Sequence, residues 1–243
     1  MEKHEKIINI SVLGDSVSTL EGFNPDNCKL FYEGETARQA GVLTPGDTWW
    51  GRLIEAIPGG RLLVNNSWSG SRVTKLPFCP VLYPSACSDE RTGGLHRGDV
   101  LPDVIIVAMG INDWGFGVSL QNEQQNYFGF ETAYRLMLQK LTANYPRAEV
   151  WCLGISPFCQ RKNGRTVLVD TIGGVSCAAF NRVIGKAARE YGCLFLHEDG
   201  FFLPAEETLD GTHPNSGGMK RIAAHFLGLL RKEIHELFEG EIY

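Results

Sequence analysis

The chain of 243 residues lacks a basic cluster: 23 Lys and Arg stand against 28 Asp and Glu, leaving a formal charge of -5. Neutralising phosphates takes concentrated Lys and Arg, so nucleic acid is not an expected partner. No apolar run approaches bilayer-spanning length. The first such stretch, Ile7 to Leu13, is too short and interrupted for a signal-peptide core and reads as a buried strand. No membrane association is therefore expected, and the cytoplasm is the default location. The seven cysteines include no Cys-x-x-Cys pair, which argues against both a zinc site and a disulfide framework. Cys79 and Cys87, both in irregular sequence, are candidates to pair in an oxidising compartment, although free thiols are expected. Repeats, low-complexity tracts, charge runs and Pro-rich linkers are missing too, so one domain over residues 1–243 is expected.

What the chain does have is alternation of strand and helix patterns. After the strand at Ile7–Leu13, Asp47 reads as the N-cap of a helix to about Ile57, with Trp49, Trp50, Leu53, Ile54 and Ile57 on one face. Strands are expected at 61–65, 104–109, 149–155 and 193–196. Apolar stripes place helices around 130–141, 180–191 and 219–230. This is a doubly wound α/β pattern. Two long irregular stretches, near 22–46 and 74–99, interrupt it, and loops of that length are often functional.

Polar residues gather where the apolar runs stop. Gly14-Asp15-Ser16 ends the first, and Gly70 closes Val64-Asn65-Asn66-Ser67-Trp68-Ser69-Gly70 after the second. Gly110-Ile111-Asn112-Asp113 follows the third, and Asp210-Gly211-Thr212-His213 precedes the final helix. A serine hydroxyl becomes a useful nucleophile when an imidazole takes its proton and a carboxylate fixes the imidazole tautomer. The three-residue spacing lets Asp210 reach Nδ1 of His213 while Nε2 points elsewhere. Gly70 exposes a backbone N–H that no Cβ shields. Asn112 brings a neutral side-chain N–H suited to a developing oxyanion. In open α/β sheets such strand exits converge at one edge, where ligands bind.

In these blocks and their order the chain resembles the SGNH hydrolases, the GDSL family of esterases and lipases, from about residue 7 to the final helix. The resemblance implies a flavodoxin-like three-layer α/β/α sandwich of about five parallel strands. It implies Ser16 as nucleophile, Asp210 as orienting acid and His213 as base. The Ser16 and Gly70 amides with the Asn112 side chain would form the oxyanion hole. Ser67 stands where the family usually has another glycine, which affects the path of that loop.

Around this constellation, Trp68, Trp114 and Phe116 could form an aromatic wall for a sugar ring or acyl chain, or simply pack loops onto the sheet. Arg72 could meet an acidic group, with solvent the better expectation. His197-Glu198-Asp199 is a competing source of a base or metal ligand, while His4, His96, His225 and His235 read as structural or solvated. No long apolar lid segment is present, which favours short-acyl esters such as O-acetylated carbohydrate over triglycerides. The expected partner is a small-molecule or glycan ester, with no metal or organic cofactor. A lysophospholipase or thioesterase acting on longer chains is the nearest alternative. From other classes, a non-catalytic carbohydrate-binding module and a metal-assisted phosphoesterase using Asp15, Asp113, Asp210 and His213 complete the set.

Overall fold

Successive side chains of a strand point to opposite faces, so an apolar run without polar alternation needs a layer on each side. The computed structural model describes residues 6–26, 28–75, 84–121, 127–162 and 165–234 and supplies both layers. In chain order the elements are β1 (Ile8–Gly14), α1 (Gly34–Ala40), α2 (Trp49–Glu55), β2 (Gly60–Ser67), α3 (Asp89–Gly93), β3 (Val104–Ala108), α4 (Ile111–Gly115), α5 (Phe130–Asn144) and β4 (Glu149–Leu153). There follow β5 (Phe158–Lys162), β6 (Arg165–Val169), β7 (Thr171–Ile172), β8 (Val175–Ser176), α6 (Cys177–Glu190), β9 (Leu194–Leu196) and α7 (Ser216–Glu233). Five strands form one parallel sheet in the order β2-β1-β3-β4-β9. The chain reverses its winding at β1, which puts the exits of β1 and β3 side by side.

Two cores flank the sheet. Leu13, Ile105, Val107, Val150 and Cys152 meet the inner faces of α5 and α6, including Phe130, Tyr134, Leu138, Phe180 and Ile184. Ile10, Val12, Ile106, Trp151 and Leu153 meet Trp49, Trp50 and Leu53 of α2 and Met219, Ile222 and Phe226 of α7. This is the expected α/β/α arrangement, with all five central strands where the apolar runs placed them.

Two local expectations are corrected, and one pair of strands was not anticipated. The N-cap of α2 is Thr48, whose hydroxyl accepts from the Gly51 amide at 2.9 Å; Asp47 instead caps the preceding 3-10 turn, accepting from the Thr44 amide at 2.9 Å. The irregular stretches carry α1 and α3. Beyond β4 the chain forms an antiparallel hairpin, β5–β6, that pairs Phe158 with Val169. Cys79, His4 and His235 lie outside the described residues; Cys87 is a buried free thiol.

Candidate active site

The exit of β1 turns at once into a 3-10 turn, Ser16–Ser18, because the Asp15 carboxylate accepts from the Val17 amide at 3.0 Å. That turn is fixed from outside. The Ser18 carbonyl accepts from Trp50 Nε1 at 3.0 Å and from Asn65 Nδ2 at 2.8 Å, and Thr19 Oγ1 donates to the Ser16 carbonyl at 2.9 Å. Asp15 is fully buried, and burial pushes its carboxyl up to about 7 against the opposing pull of the Val17 amide and the Arg91 charge.

On the far side, residues 208–214 form a tight loop ahead of α7. The Asp210 Oδ1 atom accepts from the amides of Thr212 at 3.0 Å and His213 at 2.8 Å, leaving Oδ2 for the His213 ring at 2.7 Å from Nδ1. Partial burial raises the Asp210 carboxyl, but these bonds outweigh it and hold the group below the usual carboxylate range. The ring's other nitrogen, Nε2, lies 3.0 Å from Ser16 Oγ. With Nδ1–H committed to the carboxylate, Nε2 is the neutral ring's acceptor and faces the hydroxyl proton. Phe31 stacks on the His213 ring at 3.5 Å with planes 10° apart, and Tyr32 ties the same loop down by donating to the Pro214 carbonyl at 2.7 Å. Both come from the first irregular stretch, which sequence reasoning left without assigned site residues.

Gly70 adopts a φ of +79° that glycine tolerates, at the corner where the Ser71 amide donates to the Trp68 carbonyl at 3.0 Å. Among the described residues its own N–H has no hydrogen-bond acceptor. Asn112 sits in the first turn of α4 and donates one Nδ2 hydrogen to the Ser71 carbonyl at 2.9 Å, leaving the second uncommitted. The neighbouring Asp113 points inward. It accepts from the amides of Val73 and Thr74 and from the Thr74 hydroxyl, at 2.9, 3.0 and 2.7 Å, and burial pushes its carboxyl up. Ser67 lies inside the loop base, its Oγ 2.7 Å from where a Cβ on Gly14 would stand, so the first block has no room for a side chain at that glycine.

The aromatic wall is only partly assembled. Trp68 is half-buried and donates to Asn66 Oδ1 at 3.0 Å, and Phe116 is 69% exposed. Trp114 is in the core: it has no exposed surface, and its indole N–H donates to the Val175 carbonyl at 3.0 Å. Arg72 is also buried rather than solvated, with its guanidinium 5.6 Å over the Phe116 ring. His197 contacts Asp199 at 3.2 Å and Asn181 at 3.4 Å, and neither partner belongs to the Ser16–His213–Asp210 relay.

An apolar cavity of about 110 Å³ borders the site. Its lining includes Asp15 and Val17, which flank Ser16, and Gly211 and Thr212 from the histidine loop; Met109, Ile155, Phe158 and Leu203 supply much of the apolar wall. The hairpin helps to shape this region. Cys159 donates its amide to the Gly211 carbonyl at 3.0 Å, and Gly211, with φ +93°, is in such close contact that a Cβ would fall 1.7 Å from the Cys159 carbonyl oxygen. Among the described residues there is no cluster of three His, Cys, Asp or Glu able to hold a metal, and no helix long and apolar enough to cross a membrane.

Comparison with known proteins gives a consistent picture. Residues 8–167 match the family model described as GDSL-like lipase/acylhydrolase. The fold is similar to that of a protein named as a GDSL-like lipase from Bacteroides ovatus, at 24% identity and a TM-score of 0.70, covering 94% of this chain and 100% of that one. It is also similar to a carbohydrate esterase family 2 enzyme with a carbohydrate-binding domain from Corynascus thermopiles (Myceliophthora fergusii), at 16% identity and a TM-score of 0.62 over 95% of this chain and 68% of that one. A family two carbohydrate esterase from Clostridium thermocellum aligns at 14% identity and a TM-score of 0.58 over 94% and 64% of the two chains. No curated protein matches.

Proposed function

Since the chain belongs to the GDSL-like lipase/acylhydrolase family, we propose that it is a serine ester hydrolase that works through an acyl-enzyme on short-acyl esters. The observation that carries this reading is the continuous relay from Asp210 through His213 to Ser16, at 2.7 and 3.0 Å. His213 Nε2 takes the hydroxyl proton as Ser16 Oγ attacks the ester carbonyl carbon, and Asp210 stabilises the resulting imidazolium. The oxygen that gains charge is received by the Ser16 and Gly70 amides and the second Nδ2 hydrogen of Asn112. Collapse breaks the bond to the alcohol, which leaves with the proton from His213. A water, deprotonated by the same nitrogen, then attacks the acyl-Ser16 carbonyl and releases the carboxylic acid.

For the alcohol part we favour O-acetylated carbohydrate. The two carbohydrate esterase neighbours support it, and so do exposed Phe116 and half-buried Trp68, whose faces suit a sugar ring. The apolar cavity beside Ser16 supports a second reading, in which longer acyl chains are accepted. A fluorophosphonate probe followed by peptide mapping tests the reaction class: label on Ser16, absent from Ser16→Ala, is the expected result, and full turnover by Ser16→Ala would end the serine mechanism. A p-nitrophenyl ester series from acetate to decanoate separates the substrates. Under the first reading kcat/KM is highest at acetate, and a maximum at six carbons or more favours the second.

A further inference from the structure

Arg91 is wholly buried although it sits on a one-turn helix, α3, next to Asp89 and Glu90. Burying a guanidinium is costly unless its donors are satisfied. Here Nη2 donates to the Gly14 carbonyl at 2.9 Å and to the Asn66 carbonyl at 3.0 Å, and Nη1 donates to Ser71 Oγ at 2.7 Å and to the Pro84 carbonyl at 3.2 Å, while the buried Nε has no partner among the described residues. All four acceptors are neutral. The one buried carboxylate acting on it, Asp15, does so through space without a hydrogen bond. A simple counter-ion would pair with that carboxylate. Arg91 instead spends its fork on the chain just before the nucleophile, the end of β2, and the loop that follows Gly70. Its Cζ lies 5.8 Å from the centroid of the Trp68 ring.

Ser71 is where this matters. Its hydroxyl accepts from Arg91, and its carbonyl accepts from Asn112 Nδ2 at 2.9 Å. A single residue thus links the guanidinium to both oxyanion donors, Gly70 through the peptide chain and Asn112 through the carbonyl. We propose that Arg91 is a positioning residue for ester hydrolysis: by gripping Gly14, Asn66 and Ser71 together it sets the separation between Ser16 and the oxyanion donors. This rests on the serine-hydrolase reading above. Lysine cannot take its place, because a point charge on a flexible stem does not present the planar fork that reaches three segments at once.

The test uses Ser71→Ala, which cuts the link to the oxyanion loop and leaves the other three bonds of Arg91 in place, alongside Arg91→Lys. Both are measured on the full chain below their unfolding temperatures, with far-UV circular dichroism matched to wild type. Small displacements of a preorganised site can cost about a hundredfold, so Arg91→Lys should lower kcat by about that factor and Ser71→Ala by about tenfold, with KM for p-nitrophenyl acetate nearly unchanged. A merely structural role would not produce the next effect. Because Ser71 acts through Asn112, adding Ser71→Ala to Asn112→Ala should cost clearly less than Ser71→Ala alone. Wild-type kcat in Ser71→Ala, a loss confined to KM, or full additivity with Asn112→Ala would overturn the proposal even if Arg91→Lys fails to fold. Fluorophosphonate labelling of Ser16 keeps the two readings apart. If Ser16 labels normally and Ser71→Ala is wild-type, the positioning role alone falls; if Ser16 does not label, the hydrolase reading falls with it.

Discussion

Asn112 and Asp113 show how far adjacent residues can diverge in task. Asn112 presents an amide to the site, whereas Asp113 spends its carboxylate on Val73 and Thr74 inside the loop. Removing a preorganised oxyanion donor costs about 2.7 to 4 kcal/mol of transition-state stabilisation. Asn112→Ala should therefore lower kcat by roughly two to three orders of magnitude with little change in KM, and its urea midpoint should fall less than that of Asp113→Ala because only one hydrogen bond, to the Ser71 carbonyl, is lost. Asp113→Ala should do the reverse in emphasis, losing on the order of 3 kcal/mol of stability as three amide and hydroxyl donors lose their acceptor. Parallel kinetic losses at the two positions would assign both to substrate binding. Asp15 makes a separate prediction about pH. Its folded value of about 7 lies above the ordinary 3.8, so the folded state holds a proton that the unfolded state releases. The stabilising contribution is complete below about pH 4 and is lost as pH rises to about 7, at roughly 1.4 kcal/mol per unit. Urea titrations across that window should show a shallower decline for Asp15→Asn than for wild type, and parallel curves would refute the assignment.

Among elements, the β5–β6 hairpin and the histidine loop depend on each other through Gly211. A side chain there would meet the Cys159 carbonyl and would also need a φ of +93°. Gly211→Ala should push the hairpin or the loop aside, lengthen the Asp210–His213–Ser16 relay, and lower kcat by at least tenfold, visible as slower fluorophosphonate labelling. Normal labelling rates would mean that the hairpin yields freely. The hairpin did carry a sequence signal, which sequence reasoning did not use: Asn163-Gly164, the dipeptide most favoured in two-residue hairpin turns, separates the β-prone runs 158–162 and 165–169. The central strands were legible because each contains an apolar run, and the inner strands β1, β3 and β4 are buried on both faces over most of their length. Asp210 and His213 stood out by their three-residue spacing, and Ser16 joined them through the conjunction of the four blocks, in the order that resembles the SGNH hydrolases. Phe31 and Arg91 did not: an aromatic in an irregular stretch and an arginine beside two acids both look solvated until distant segments close over them. Trp114 misled in the opposite direction, its position after Asn112 suggesting the site while its large apolar surface belongs to the core.

For the molecule as a whole, nucleophile, base and oxyanion donors are all supplied by the chain itself, so under the proposed mechanism turnover should survive EDTA. A loss that divalent metal restores would revive the phosphoesterase alternative. The assembly of that machinery has a kinetic side. Ser16 and His213 meet across 197 positions of sequence, and Tyr32 reaches Pro214 across 182. Contacts of such high sequence separation must wait for the longest loops of the chain to close. The pairing of β1, β2, β3 and β4 draws only on earlier segments, whereas the base arrives with residues that lie just ahead of α7. Under the proposed mechanism, a chain still emerging from the ribosome, or a fragment ending before Asp210, carries the serine and both oxyanion loops yet lacks the base that deprotonates the nucleophile. Recovery of esterase activity during refolding therefore clocks the joining of the two ends of the chain, and not the formation of the sheet.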